Sequence, residues 1–426
     1  MNWQTLKKSE LLKNTSILVS GTALAQLIPI LLQPVLRRFY TPETYGAYAV
    51  YLSLIGILYV LSSLRYEMAI ALPRKDKTAV NLWALALFFN LMFNALLFFF
   101  IIIFRSPILQ FLNIPSGYSI FIYLVPVGNF LYSFYQSTHY WLIRKKSFKA
   151  VSINKFARRI TEGGVQVSSK NLFAGTSLVL GDIVGHFTNV IAGYYQSWKK
   201  GLRWEYVSLN KLRYVFKKYA EFPKYNLLSS FMGVFSFLIP TLLINKFYSA
   251  EYAGYYDLSK MVLSIPLALI AGSVANVLLQ RFSEKRQLKE TIFKEFFQIF
   301  IIVFLIAVLE IVVIRLWGVP LFKIIFGKQW VESGIMSKML VWSYAINFVV
   351  FSFSSVFISL ERIKLLSAWQ VFRFLAILVL FTLDDIDFSR FIKIYVLIEI
   401  VSFMVNFGLL VWIIYQYEKK LKVIKT

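Results

Sequence analysis

The chain of 426 residues has no cysteine and only two histidines. The first absence removes disulfide scaffolds and thiolate chemistry, and leaves the redox compartment open. With two histidines and no carboxylates clustered beside them, the pattern holds no metal site, so neither metal nor cofactor is expected. A glycine-rich phosphate loop, a nucleophile elbow and an acidic glycosyl-transfer motif are missing as well. No ATPase or hydrolase chemistry is visible, and the chain is read as a non-enzyme. Acidic side chains are few, 21 against 46 Lys and Arg, for a formal net charge of +25. Extended polar stretches are nearly lacking, which leaves no room for a sizeable soluble domain.

What is present is apolar helix. Hydrophobic residues make up 58% of the chain and the mean hydropathy is +0.64, too apolar for a soluble protein. Runs of about 20 apolar residues recur from end to end, each long enough to cross a bilayer. They are continuous rather than alternating, which argues against a β-barrel and for an all-α polytopic membrane protein. The first run, Ile17–Leu36, is longer than a signal-peptide core, holds Pro29 and Pro34, and lacks a small-residue cleavage site. It is expected to be a retained first span.

Twelve spans are predicted near 14–36, 44–64, 81–104, 117–140, 152–169, 173–197, 226–247, 255–279, 296–316, 339–360, 365–383 and 391–416. The fifth is unpromising by hydropathy, because it carries Lys155, Arg158, Arg159 and Glu162. Two arguments retain it. RFYTPETYGAY at Arg38–Tyr48 returns as KFYSAEYAGYY at Lys246–Tyr256, and each copy follows an Ile-Pro-x-Leu-Leu run. If these mark parallel repeats, an even number of helices separates them, and the fifth span gives each half six. Charge agrees: with the N-terminus inside, inward segments hold 33 Lys and Arg against 11 in outward ones. That positive-inside bias predicts that both termini are cytoplasmic.

The same bias accounts for the net charge, as loops facing anionic headgroups. Nucleic-acid binding is not expected, since no folded domain presents the basic residues. Residues 198–225 form the longest polar stretch. Leu209, Leu212, Val215, Phe216 and Tyr219 fall at helical spacing with Lys211, Arg213, Lys217 and Lys218 between them, as in an amphipathic surface helix. The expected organisation is an N-lobe over 1–197, this cytoplasmic connector over 198–225, and a C-lobe over 226–426.

Ionisable groups at mid-bilayer cost about 2.5–3.5 kcal/mol each, so those present are candidates for function or for mutual pairing. Arg158, Arg159 and Glu162 lie on span five, Asp182 and His186 on span six, Asp257 and Lys260 on span eight, Arg373 on span eleven and Glu399 on span twelve. Arg65 and Glu67 stand near the inner end of span two. Arg159 with Glu162, and Asp257 with Lys260, share a helical face and can neutralise each other. Arg373 is placed to meet Glu399 across one hairpin, and Arg159 to meet Asp182 across another. His186 follows Asp182 by one turn, an arrangement suited to relaying a proton or to simple local pairing.

Four stretches then carry a resemblance: LRRFYTPETYGAY, LRYEMAIALPRKD (Leu64–Asp76), the run from Phe222 to Ile270 containing FPKYNLLSSFMGVFSFLIPTLLINKFYSAEYAGYY, and LFKIIFGKQW (Leu321–Trp330). The chain resembles the polysaccharide transporter branch of the multidrug/oligosaccharidyl-lipid/polysaccharide exporter superfamily, the O-antigen flippase type. The likeness covers essentially the whole chain, and its signatures speak to family rather than substrate. It implies about twelve helices in two parallel six-helix lobes around a central cavity, alternating access, and outward movement of polyprenyl-pyrophosphate-linked oligosaccharide across a bacterial inner membrane. It also implies a cationic lumen, with Arg65 and Lys260 as the matching basic positions and Arg158, Arg159 and Arg373 as further cavity cations.

The chemistry suits that role. A cation about 4 Å from a diphosphate charge contributes about 1 kcal/mol in water and about 4 kcal/mol at an effective dielectric of about 20. Asp182, His186 and Glu399 are the candidate ion-coupling groups, and Pro29, Pro240 and Pro266 the candidate hinges. The expected partners are the lipid-linked oligosaccharide, membrane lipids, and a polymerase or glycosyltransferases of the same pathway, with no nucleic acid. Two other readings stand beside this one. An organic-cation or multidrug antiporter of the superfamily would present unpaired carboxylates, whereas a membrane-embedded polymerase would present large outer loops.

Overall fold

The computed structural model describes residues 28–170 and 174–425, and all regular elements among them are helical. The chain is helical over 28–39 (α1) and breaks at Tyr40 and Thr41. Helix α2 (Pro42–Ser62) then starts with Pro at its first position and Glu43 in its first turn, while the Thr41 hydroxyl accepts from the Thr44 N–H at 3.3 Å. Proline loses no bond there, and the hydroxyl satisfies an otherwise orphaned donor. The second copy of the repeat does the same. Ser249 accepts from the Tyr252 N–H at 3.3 Å ahead of α11 (Ala250–Gln287), with Glu251 in its first turn. The repeated sequence is thus a helix-start device used twice.

Between and after these lie α3 (Tyr66–Ala69), α4 (Asp76–Ile103), α5 (Arg105–Leu112), α6 (Phe121–Arg144), α7 (Phe148–Ser168), α8 (Ser177–Lys199), α9 (Leu209–Lys218) and α10 (Leu227–Phe247). The chain continues as α12 (Phe293–Phe326), α13 (Val331–Ser352), α14 (Ser355–Ser359), α15 (Ile363–Leu378) and α16 (Phe388–Lys425). Among the described residues, nine helical segments are long and apolar enough to cross a membrane. Helices α7 and α8, of 21 and 23 residues, are long enough and match the fifth and sixth predicted spans, but are too polar to be counted. The first predicted span lies largely outside the described residues. The protein is an all-helical multi-pass membrane protein.

The chain forms two compact units, Met1–Ala253 and Gly254–Thr426. In the first, α7 packs on α8, both α4 and α8 pack on α6, and α2 packs on α6 and α10. Glycines set these crossings. A Cβ on Gly128 of α6 would fall 2.7 Å from the Ile55 Cδ1 of α2, and one on Gly56 of α2 would fall 2.5 Å from the Leu238 Cδ1 of α10. A ladder of buried amides joins α4 to α6, as Asn129 donates to Asn94 and Asn94 to Asn90, each at 2.8 Å. Without water in the bilayer such bonds hold helices where hydrophobicity cannot discriminate. Helix α10 is tied to the end of α5, where Asn113 donates to the Asn245 carbonyl at 3.2 Å and Asn245 donates to the Leu112 carbonyl.

The connector helix α9 docks on α4. Val215 is fully buried, Leu212 and Tyr219 pack against the Trp83–Trp141 cluster, and Tyr66 donates to the Phe216 carbonyl at 2.9 Å. Asn81 fixes the approach by accepting from the Ser208 N–H at 3.0 Å. The apolar stripe seen in the sequence is therefore spent mainly on protein, while Leu209, Tyr214 and Phe216 stay exposed.

In the second unit, α12 packs on α13, α13 on α16 and α15 on α16. The core holds Phe282, Phe353, Phe357 and Leu410, all fully buried. A Cβ on Gly334 would stand 2.8 Å from the Val319 Cα, so α13 and α12 touch backbone to backbone there. Pro240, Pro266 and Pro320 lie inside α10, α11 and α12, each removing one helical hydrogen bond.

Candidate functional site

The buried polar residues of α7 and α8 lie on the faces the two helices turn to each other. On α7 the buried residues Val151, Asn154, Glu162 and Gln166 recur at helical spacing, and on α8 so do Leu178, Asp182, Gly185, His186 and Asn189. Gly181 and Gly185 admit the close crossing. A Cβ on the first would lie 2.9 Å from the Glu162 carbonyl oxygen, and on the second 3.2 Å from that of Arg158. A span that hydropathy rejects is stable because its ionisable groups meet partners rather than lipid.

Those partners form one network. Arg158 donates through Nη2 to Asp182 Oδ1 at 3.0 Å, and its Nε lies 3.6 Å from Glu162 Oε2. Arg159 donates to the same Glu162 oxygen at 2.9 Å, as expected from their spacing. Tyr51 of α2 donates to Asp182 Oδ2 at 3.4 Å, and His186 Nε2 lies 3.5 Å from Asp182 Oδ1. The sequence reading matched Asp182 with Arg159, but the ion pair is made by Arg158. Arg158 is one full turn from Glu162 and faces α8, whereas Arg159 is rotated about 100° away. Several buried atoms nearby make no hydrogen bond: His186 Nδ1, both amide atoms of Asn154, and Asn189 Oδ1.

Arg65 sits where α2 ends. Its backbone and that of Leu64 take φ of 64° and 50°, a left-handed pair that few side chains adopt. The guanidinium donates to Tyr59 Oη at 2.9 Å, Glu67 Oε1 at 3.3 Å and Asn226 Oδ1 at 3.2 Å. Glu67 is fully buried and also accepts from Ser63. Asn226 closes a π-helical turn, Phe222–Asn226, that leads into α10. Arg65 thus clamps the end of one span to the start of another.

In the second unit Arg373 of α15 grips Glu399 of α16 through two bonds, Nε to Oε1 at 3.1 Å and Nη2 to Oε2 at 2.9 Å. This is the expected cross-hairpin pair, in the bidentate geometry that makes arginine–carboxylate contacts strong. One turn before Glu399 on the same helix, Tyr395 accepts from Tyr256 at 3.2 Å, both rings being buried. Lys260 lies within electrostatic reach of Asp257, and its Nζ is 5.8 Å from the centre of the Tyr256 ring. The structure therefore gathers Arg158, Arg159, Asp182 and His186 into one cluster, Arg373 and Glu399 into a second, and leaves Arg65 and Lys260 in separate local settings. Of the candidate hinges, Pro240 and Pro266 are inside long helices and Pro29 lies near the first described residue of α1.

Two charged residues, Arg37 buried and Glu310 partly buried, are missing from the candidates read from the sequence. Arg37 is 1% exposed and its guanidinium stacks 3.5 Å from the centre of the Tyr45 ring; it was counted as an outer-loop residue. Glu310 lies inside α12, in the most apolar of the membrane-spanning segments, and was overlooked because its neighbours fit a span so well.

Several solved structures share the fold. An inward-facing multidrug-resistance MATE family transporter of the MOP superfamily aligns with a TM-score of 0.73 at 12% identity, over 91% of this chain and 94% of its own. A MATE in complex with MaD3S aligns with a TM-score of 0.58 at 13% identity, over 95% of each chain. A MOP superfamily transporter from Pyrococcus furiosus, described as having a binding pocket of reverse polarity, aligns with a TM-score of 0.53 at 13% identity, again over 95% of each. These likenesses bear on fold. No curated protein matches the chain by sequence. The sequence pattern of the polysaccharide biosynthesis protein family matches residues 35–334, most of the chain, and the protein belongs to that family.

Proposed function

We propose that the protein is a flippase carrying polyprenyl-pyrophosphate-linked oligosaccharide from the cytoplasmic to the outer face of a bacterial inner membrane, with both termini cytoplasmic. The observation that carries the reading is a conjunction: a family of polysaccharide biosynthesis on a transporter fold, with no motif for sugar transfer. The interior chemistry supports an anionic substrate. On α7, Arg158 and Arg159 meet Glu162 and Asp182, and Lys155, within electrostatic reach of His139 on α6, adds a third cation to these two carboxylates. The Pyrococcus transporter offers a precedent for a pocket of altered polarity on this fold.

In this reading the six-span halves, 1–197 and 226–426 joined by the 198–225 connector, rock about a cavity, and Pro29, Pro240 and Pro266 relieve the bending. Arg65, Arg158, Arg159, Lys260 and Arg373 exchange some of their carboxylate contacts for the diphosphate. Asp182, His186 and Glu399 take up the coupling ion as those contacts change. The sugar meets buried amides and hydroxyls, and the polyprenyl tail stays in lipid. Pathway enzymes supply the loaded lipid and consume it outside. A strain lacking the gene should accumulate lipid-linked repeat units on the cytoplasmic face and lose surface polysaccharide; normal polysaccharide with no accumulation would refute the assignment.

A further inference from the structure

Helix α12 is 34 residues long, and Glu310 stands 17 residues from its first residue, about 25 Å along the axis. The whole helix is about 50 Å long, so Glu310 stands at its middle, and a bilayer core of about 30 Å centred on the helix puts it near mid-depth. Helical periodicity places it on one stripe with Val303, Ala307, Ile314 and Gly318, four of the buried residues of this helix, which packs on α13. Its Oε2 is buried with no hydrogen-bond partner. Each carboxylate of the two clusters described above, by contrast, is held by arginine or by hydroxyl donors.

The neighbouring charges do not answer it. On α12 the other ionisable groups are Lys294 and Glu295 at the start, Arg315, which is exposed, and Lys323 in the last turn. Helix α13 offers Glu332 in its first turn and Lys338, and the preceding turn offers Lys328. Helix α16, which touches α12 where Phe407 stacks on Phe300, offers Arg390, Lys393 and Glu399 within its membrane half, and Glu399 belongs to Arg373. The α11 stretch that joins the same core, Leu267 to Phe282, holds only Arg281, which pairs with Glu295. None of these pairs with Glu310 among the described residues.

We propose that Glu310 is a proton-binding site of the second unit, neutral when packed against α13 and ionised when a shift of α12 admits water. An unpaired carboxylate at this depth is strongly disfavoured, whereas the protonated acid needs only one acceptor. The means for a shift lies about 12 Å along the same helix. There Gly318 and Gly334 bring α12 and α13 into backbone contact, and Pro320 removes a helical bond beside the crossing. A proton bound on one side of the membrane and released on the other would couple a gradient to the movement of this hairpin. This coupling role rests on the transport reading; the proton site does not.

Dicyclohexylcarbodiimide tests the site directly, because it reacts with protonated carboxyls in apolar surroundings: the acid O–H adds across one C=N bond to give an O-acylisourea, whose acyl group then shifts from oxygen to nitrogen, where water is scarce, to leave a stable N-acylurea. The full-length protein in phosphatidylcholine vesicles, treated between pH 6 and pH 9 and mapped by mass spectrometry, should carry an adduct on Glu310 that falls severalfold as pH rises. Glu310→Gln should lack that adduct and retain the wild-type melting temperature. Absence of an adduct at Glu310 throughout, or a yield independent of pH, would overturn the proposal. Labelling without any lipid-linked sugar transport would instead leave the proton site standing and remove the transport reading.

Discussion

At the scale of single residues, paired charges dominate the interior, and they make removal of one partner worse than removal of both. Arg373→Met should leave Glu399 buried and uncompensated, lowering stability by about 3–5 kcal/mol. The double variant Arg373→Met/Glu399→Leu should recover most of that loss, as read from melting temperature in detergent; equal damage from the single and double variants would show that the pair is not the unit. Much of this was legible in the sequence. Spacing alone matched Arg159 to Glu162, and hairpin geometry matched Arg373 to Glu399. Choosing Arg158 over Arg159 for Asp182 required knowing which way α7 faces, and spacing on one helix cannot supply the rotation of its neighbour. Glu310 escaped for the opposite reason, since a single acid in a long apolar run hardly alters its average.

At the scale of elements, glycine decides how closely helices cross. Gly185→Leu should push α8 off α7 and disturb the Arg158–Asp182 pair, costing about 1–3 kcal/mol by overpacking. Gly164→Ala, with nothing within 4 Å of its added carbon, should be neutral or stabilise slightly, and serves as the matched control. Similar losses in both would mean that helix propensity rather than the crossing is being measured. The repeated helix starts predict a second pattern. Thr41→Ala and Ser249→Ala should each lower stability by about 1 kcal/mol, and unequal effects in thermal melting would break the equivalence of the two copies. Boundaries in the first unit are readable to within about five residues because hydropathy, proline and charge change together there, whereas α11, α12 and α16 run well past their expected ends at 279, 316 and 416, to Gln287, Phe326 and Lys425, because a helix does not stop where the apolar run does. The use of α9 as a protein-docking helix was not readable, since an apolar stripe looks the same whether it meets lipid or α4.

At the scale of the whole molecule, the fold reconciles a strongly basic chain with a membrane interior in which nearly all visible charges are matched. The third cation on α7, Lys155, and the buried amide atoms around His186 that make no hydrogen bond are what the proposed function assigns to the substrate. The most direct measurement is made with purified protein in vesicles holding a labelled polyprenyl-diphosphate oligosaccharide in both leaflets. The fraction of sugar accessible to an enzyme added outside should rise from about half toward completion, the lipid-linked sugar that is not cleaved should keep its mass, and Arg158→Gln should slow the rise. Accessibility that stays at the starting fraction, or a product of higher mass, would contradict a flippase.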